Sequence, residues 1–234
     1  MAASDYAFVR GMDATRSALR RWNDSPWDAL SAWTTLAIVI AVALLGAVLV
    51  VSTIARPDPT PLSLPGLTDS PSVGAVGSVL FRNSLVLALH ATACVAGFIA
   101  GSSLPLTAER QTGFSRWIHE RARPVALGWV MLVTAFSLGT QSYVLGSTGS
   151  TLATQLHISR PELVLSVLPH ALPELTALFL PLAAWTIASR RDQWDDLLAA
   201  TFTTVAVAVP VLVVAATWEV YMWPHILTLL SPVA

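Results

Sequence analysis

Five polar side chains stand inside long apolar stretches of the sequence: Asn83, His90, His170, Glu174 and Glu219. Burying such groups in an apolar environment is costly unless each of them meets a partner. His170 and Glu174 are four residues apart, and Asn83 and His90 are seven apart, so each pair shares one face of a helix. We therefore predict a buried polar cluster of His90, His170, Glu174 and Glu219 in the outer half of a bilayer, with Asn83 beside it.

Three kinds of site are compatible with this cluster. The first is a network of satisfied hydrogen bonds and ion pairs that fixes the packing of helices. The second is a transport or binding pocket, because the three prolines around His170 and Glu174 could free backbone groups as in broken transporter helices. The third is a metal site, since two histidines and two carboxylates suit zinc, and an intramembrane metal-dependent hydrolase is a subset of that hypothesis.

Motifs of enzymes are absent from the sequence. No HExxH spacing, Walker motif, Rossmann glycine pattern or GxSxG stretch occurs. The sequence therefore predicts neither an enzyme nor a cofactor, and it leaves the metal question open. Arg82 is explained more simply, as a long side chain that reaches the edge of the membrane.

The composition indicates an integral membrane protein. Of the 234 residues, 54% are hydrophobic and 12% are charged, whereas soluble domains carry about 25% charged residues. Lipid must therefore cover part of the surface. The net charge of −1 and the lack of an arginine-rich stripe give no basis for binding nucleic acid.

The apolar stretches predict an all-α protein of five transmembrane helices, since a bilayer core of about 30 Å needs about 20 apolar residues. These spans cover about 33–55, 80–106, 125–145, 162–188 and 197–223. The proline-rich stretch 57–77 is predicted to be an extended loop, and GSTGST at 146–151 to be a loop that ends the third span. Pro169, Pro173 and Pro181 predict a kink in the fourth span.

Helix starts and charge set the remaining expectations. Ser25-Pro26-Trp27-Asp28 is typical of a helix start, and Ser159 with Glu162 has capping-box spacing. Residues 1–24 predict an amphipathic helix on the membrane surface, within a cytoplasmic segment 1–32 that precedes a transmembrane domain 33–234. Ten arginines fall on the N-terminal side of the predicted spans and three on the other. This distribution predicts an N-terminus inside and a C-terminus outside the cell membrane.

Three short stretches carry a family resemblance. They are Leu168-Pro169-His170-Ala171 followed by Glu174, Phe81-Arg82-Asn83-Ser84 at the start of the second span, and Ala216-Thr217-Trp218-Glu219 followed by Pro224. Together they resemble the stage II sporulation protein M family, over roughly residues 80–225. Ala171 stands where that family usually has glycine, and Pro173 precedes the glutamate rather than following it.

The resemblance implies a multispan bacterial membrane protein without established catalytic activity. The founding members of the family look like scaffolds that bring cell-wall-degrading enzymes to a septal membrane. The leading hypothesis is therefore a non-enzymatic component or scaffold of a larger membrane complex, with the lipid bilayer and other membrane or cytoplasmic proteins as partners. Small residues in the second span also allow a homo-oligomer. The alternative hypothesis is a transporter or permease-like subunit that uses the polar cluster as its pathway.

Overall fold

The computed structural model of this chain describes residues 7–62, 67–103 and 113–233. These residues form mainly α-helices, and no β-strand occurs among them. The helices are α1 (Ala7–Asp24), α2 (Pro26–Ile54), α3 (Val73–Phe98), α4 (Gly113–Gln155), α5 (Arg160–Arg190), α6 (Leu197–Tyr221) and α7 (Trp223–Leu230). A π-helical turn, Ile99–Ser103, extends α3, and a 3₁₀ turn, Trp194–Asp196, precedes α6.

Four helical stretches of the described residues are long and apolar enough to cross a membrane: Pro26–Ile54, Val73–Gly101, Arg160–Arg190 and Trp194–Leu230. Only 33% to 44% of their most apolar windows is buried inside the protein, so much apolar surface is left for lipid. The predicted all-α membrane fold is confirmed. The third predicted span, 125–145, lies within α4, which is not one of the four. The count of five spans and the orientation stay predictions.

Two predicted helix starts are confirmed. Helix α2 begins at Pro26, and the Ser25 hydroxyl donates a hydrogen bond to the Asp28 carboxylate. At the start of α5, Ser159 N–H donates to Glu162 Oε2 at 2.8 Å, and Glu162 N–H donates to Ser159 Oγ at 3.3 Å. This reciprocal pair is a capping box, and it supplies partners for backbone groups that the first turn of a helix leaves free.

The prediction of an extended loop over 57–77 is wrong at its C-terminal end. Helix α3 begins at Val73, directly after Ser72, whose Oγ accepts a hydrogen bond of 3.1 Å from Ala75 N–H. This cap directly follows Pro71, the last proline of the stretch, and it favours a helix start there. Gly74 and Gly77 therefore lie inside α3, where they cost some stability but do not end the helix.

The predicted GSTGST loop is also wrong, because α4 continues through it to Gln155. Gly146 lies so close to α2 that an added Cβ would stand 2.5 Å from Val51 Cβ and 2.9 Å from the Val48 carbonyl oxygen. Ser150 Oγ donates a hydrogen bond of 3.0 Å to the Ala55 carbonyl at the end of α2. The small residues thus serve close packing of two helices rather than a turn.

Helix α5 runs without interruption past Pro169, Pro173 and Pro181. Each proline lacks the N–H that would bond the carbonyl four residues earlier. The helix therefore carries carbonyl groups without their usual helical donor, and the predicted kink stays a prediction.

Residue contacts divide the chain into two compact units. The first consists of Met1–Ala37, Leu87–Thr134 and Leu178–Val207. In its described part, α1 packs against the 3₁₀ turn, and Arg21 Nη2 lies 2.7 Å from Asp196 Oδ1. The ring of Trp22 meets that of Trp33 edge to face at 5.0 Å. Helix α1 is therefore held by contacts within this unit.

The second unit consists of Ile38–Val86, Ala135–Ala177 and Ala208–Ala234. One part of its core is formed by Leu152, Ala153, Leu156, Leu163 and Leu227, and another by Val79, Ala216 and Val220. Hydrogen bonds also join the segment that follows α2 to helix α4.

That connection is ordered by polar contacts. Asp58 N–H donates to Thr151 Oγ1 at 2.9 Å, and Gln155 Nε2 donates to the Thr60 carbonyl at 2.8 Å. Hydrogen bonds from Thr60 also hold the pKa of the exposed Asp58 carboxyl below its usual value, because they stabilise the charged form. The chain thus passes from α2 along α4 on a fixed path.

Candidate functional site

The second unit encloses a cavity of about 380 Å³. Most of the side chains along it are aliphatic, contributed by α2, α3, α4, α5 and α6. The charged or titratable side chains on its wall are Arg82, Arg160, His170, Glu174 and Glu219. A cavity of this size is in the range that takes small ligands, about 300–1,000 Å³. We call it the acidic cavity, after Glu174 and Glu219.

Helix α5 supplies two of these side chains. His170 and Glu174 are one helical turn apart, and both lie on the cavity wall. The turn between them survives Pro173, because a proline removes one backbone hydrogen bond and leaves the next ones in place. The predicted common face of this pair is therefore present in the structure.

Helices α3 and α6 bring a second carboxylate and a cation to the same place. Glu174 interacts electrostatically with the like charge of Glu219 and with the opposite charge of Arg82. Glu219 interacts with Arg82 as well. Asn83 lies beside the carboxyl group of Glu174. Its Nδ2 is buried and has no hydrogen-bond partner of good geometry among the described residues. This part of the cavity wall thus carries two carboxylates and one guanidinium, with the amide of Asn83 next to Glu174.

His170 is a buried titratable group on the cavity wall. Its side chain is 6% exposed, and its Nδ1 has no hydrogen-bond partner among the described residues. Its ring lies 5.5 Å from that of Trp223, whose Nε1 donates a hydrogen bond of 3.0 Å to Ser166 Oγ. The Ser166 hydroxyl in turn donates to the Leu163 carbonyl at 2.7 Å. Trp223 is therefore fixed in orientation, and it supports the imidazole of His170.

His90 takes part in another contact, within the first unit. Its Nδ1 lies 3.0 Å from the Leu178 carbonyl oxygen, and its ring lies 5.3 Å from that of Phe179. Because a carbonyl only accepts, Nδ1 must carry the proton. His90 does not line the acidic cavity. Of the five residues that the sequence singled out, the structure brings together Asn83, His170, Glu174 and Glu219.

Two arginines of the cavity wall were not predicted as site residues. Arg82 has an exposed side chain, as expected for one that reaches the membrane edge, and it also faces the two carboxylates. The signal for it was its place next to Asn83 in an apolar stretch. Arg160, at the start of α5, donates from Nε to the Ser52 carbonyl at 3.3 Å. It lies 14 residues from Glu174, about 21 Å along the helix axis, so the cavity is long and narrow.

Metal binding gains no support from this arrangement. Across residues 7–62, 67–103 and 113–233, no group of three or more His, Cys, Asp or Glu side chains could hold a metal ion. The zinc hypothesis therefore has no ligand set in this part of the chain.

Comparison with known proteins gives one match. Residues 122–224 match the family described as stage II sporulation protein M. The match covers less than half of the chain, and it includes His170, Glu174 and Glu219 but not Arg82 or Asn83. No curated protein and no solved structure matches the chain. Residues 122–224 of this multi-pass membrane protein are thus similar to the stage II sporulation protein M family, which supports the predicted resemblance, and two of the three short stretches lie within them.

Proposed function

We propose that this protein is a non-enzymatic, permease-like membrane component that binds a small charged ligand in the acidic cavity. The observation that supports the proposal is the cavity itself, about 380 Å³ of space beside Glu174, Glu219, Arg82 and the unpartnered, buried His170. Four apolar helical stretches surround or adjoin such a site with the length that a membrane requires.

A purely structural network would be arranged differently. In such a network each buried polar group bonds to another, because an unsatisfied one costs about 1–3 kcal/mol. Here Nδ1 of the buried His170 lacks a partner among the described residues, and open space lies next to the carboxylates. Unused hydrogen-bonding capacity on a cavity wall is what a ligand site needs.

A comparison of cells that differ in one side chain tests the proposal. Cells without the protein are supplied with the wild type, with Glu174→Gln or with Glu162→Gln, and small molecules inside and outside the cells are quantified by mass spectrometry. We expect at least one compound to be redistributed by the wild type and by Glu162→Gln but not by Glu174→Gln. Glu162 is a matched control because it lies exposed at the start of the same helix. Identical distributions in all cells, at equal amounts of inserted protein, would contradict the proposal.

A second candidate function is a scaffold of a larger membrane complex, which the resemblance to the stage II sporulation protein M family implies. A scaffold must keep its partners when the cavity chemistry is changed. Purification in mild detergent would then recover the same partner proteins with the wild type and with Glu174→Gln. Recovery of the isolated chain under several conditions would count against this second candidate.

A further inference from the structure

We infer that the ligand of the acidic cavity carries a primary ammonium group attached to an apolar body. This inference rests on the proposed function, because it assumes that the cavity is a ligand site. It names the chemical class of the ligand from four features: charge, hydrogen-bond acceptors, the metal-ligand set and the apolar wall.

The charged side chains around Glu174 leave room for one additional positive charge. Glu174 and Glu219 are both near Arg82, which balances one of them. The second carboxylate has no cation of its own there, because Arg160 stands about 21 Å away along α5. A buried charge is retained at low cost only when it is paired. One monovalent cation would neutralise the remaining charge of Glu174, Glu219 and Arg82.

A primary ammonium group has three donors, and two acceptors for them lie one helical turn apart on α5. The first is the carboxylate of Glu174. A neutral imidazole always offers one acceptor nitrogen, and His170 is 6% exposed with its Nδ1 unpartnered. Since His170 and Glu174 are one turn apart, with Cβ atoms about 5–6 Å from each other, one nitrogen can lie between them and contact both.

Other cations fit this site less well. A divalent metal needs more protein ligands than the described residues provide, since no group of three His, Cys, Asp or Glu is present. A quaternary ammonium ion has no N–H group, so it would leave His170 and both carboxylates without hydrogen bonds. Such ions are held by several aromatic rings, and Trp223 is the aromatic residue on this wall.

The rest of the cavity explains the apolar body. Between Glu174 and Arg160, α5 presents Val167, Val164 and Leu163 to the cavity. Leu163 is 11 residues from Glu174, about 16 Å along the axis. Such a wall suits an alkyl chain. A long alkylamine and the aminoethyl head group of phosphatidylethanolamine share the required chemistry.

Binding of defined probes to the purified full-length chain tests the inference. The thermal unfolding midpoint in detergent is measured against the concentration of octylammonium, of octyltrimethylammonium and of octanol. We expect octylammonium to stabilise the wild type saturably, and to bind at least tenfold more tightly than either other probe. Glu174→Gln and Glu219→Gln should each weaken its binding tenfold or more, whereas Glu162→Gln should bind as the wild type does. Equal binding of octylammonium and octyltrimethylammonium, or binding unchanged by both cavity substitutions, would overturn the inference.

Two further measurements keep the result interpretable. If Glu174→Gln does not fold, as judged by size-exclusion chromatography, His170→Ala replaces it as the cavity variant. Lipid retention in nanodiscs is then compared for phosphatidylethanolamine and phosphatidylcholine by native mass spectrometry. Selective retention of phosphatidylethanolamine by the wild type assigns the ammonium group to a lipid, and octylammonium binding without such retention assigns it to a free amine.

Failure of this inference can be told apart from failure of the proposed function. Redistribution of a compound that depends on Glu174, without octylammonium binding, would overturn the ammonium class and leave the permease-like function standing. Octylammonium binding without any redistribution would support the ligand class and contradict the permease-like function.

Discussion

The indole N–H of Trp223 donates a hydrogen bond of 3.0 Å to the hydroxyl of Ser166, and this bond orients the ring that supports His170. Ser166 is buried, with 5% of its surface exposed, and it belongs to α5, whereas Trp223 begins α7. Two residues far apart in the sequence thus fix one wall of the acidic cavity.

Replacement of Ser166 by alanine tests this relationship. It leaves a half-buried indole N–H without its partner, which costs about 1–3 kcal/mol. We expect a lower thermal unfolding midpoint and weaker octylammonium binding, because the support of His170 is loosened. Ser147→Ala is the control, since Ser147 is half-buried like Trp223 but its hydroxyl bonds only to carbonyls of its own helix. Equal midpoints for the two variants would show that the Trp223 contact contributes nothing.

The close approach of α4 to α2 at Gly146 gives a second prediction. In Gly146→Ala the new Cβ would meet Val51 Cβ at 2.5 Å and a backbone oxygen at 2.9 Å. The helices must then separate, and such overpacking costs about 1–3 kcal/mol. At Gly139, in the same helix, nothing lies within 4 Å of the added Cβ, so Gly139→Ala should be neutral or stabilising by up to about 1 kcal/mol. Unfolding midpoints in detergent report both, and a midpoint of Gly146→Ala at or above that of the wild type would refute the packing argument.

The two buried histidines should respond in opposite ways to alanine. His90→Ala removes the hydrogen bond to the Leu178 carbonyl and the contact with Phe179, so we expect a loss of about 1–3 kcal/mol in stability with unchanged octylammonium binding. His170 has no partner at Nδ1, so His170→Ala removes less stabilisation, but it should weaken octylammonium binding. Unfolding midpoints and binding curves of the two purified variants separate these effects. Equal loss of binding in both variants would contradict the different roles given to the two residues.

His90 shows which features could be predicted from the sequence and which could not. Its type and its apolar surroundings predicted burial correctly, and the side chain is 1% exposed. The second span was predicted to begin at residue 80, whereas α3 begins at Val73, seven residues earlier, which changes the depth of His90 along the helix. That difference amounts to about 10 Å along the helix. The start depended on a serine cap after a proline, a local hydrogen bond that apolar periodicity does not reveal.

The pair of His170 and Glu174 was easier to predict, because both residues belong to one helix and their spacing of one turn sets their common face. The position of Glu219 beside them depends on how α6 packs against α5, which the sequence gives only through estimated depth. The close packing at Gly146 was not predicted from the sequence. A glycine next to serine and threonine is typical of a turn, and the packing role of Gly146 is visible only from its contact with α2.

The ion pair between Arg21 and Asp196 gives the last prediction. It joins α1 to the 3₁₀ turn at 2.7 Å, with side chains that are 56% and 22% exposed. Exposed pairs contribute about 0.2–1 kcal/mol and weaken with salt. We expect Arg21→Gln to speed amide hydrogen exchange in α1 by up to about fivefold, and high salt to remove the difference from the wild type.

Arg16→Gln is the matched control for this exchange experiment. Its pair with Asp13 lies within α1 at 3.9 Å, between side chains that are 67% and 69% exposed. Loss of that contact leaves the docking of α1 untouched, so exchange in α1 should stay close to that of the wild type. If both variants accelerated exchange equally, α1 would be held by its own helical stability and by the apolar contacts of Ala18 and Trp22, and Asp196 would have no part in its docking.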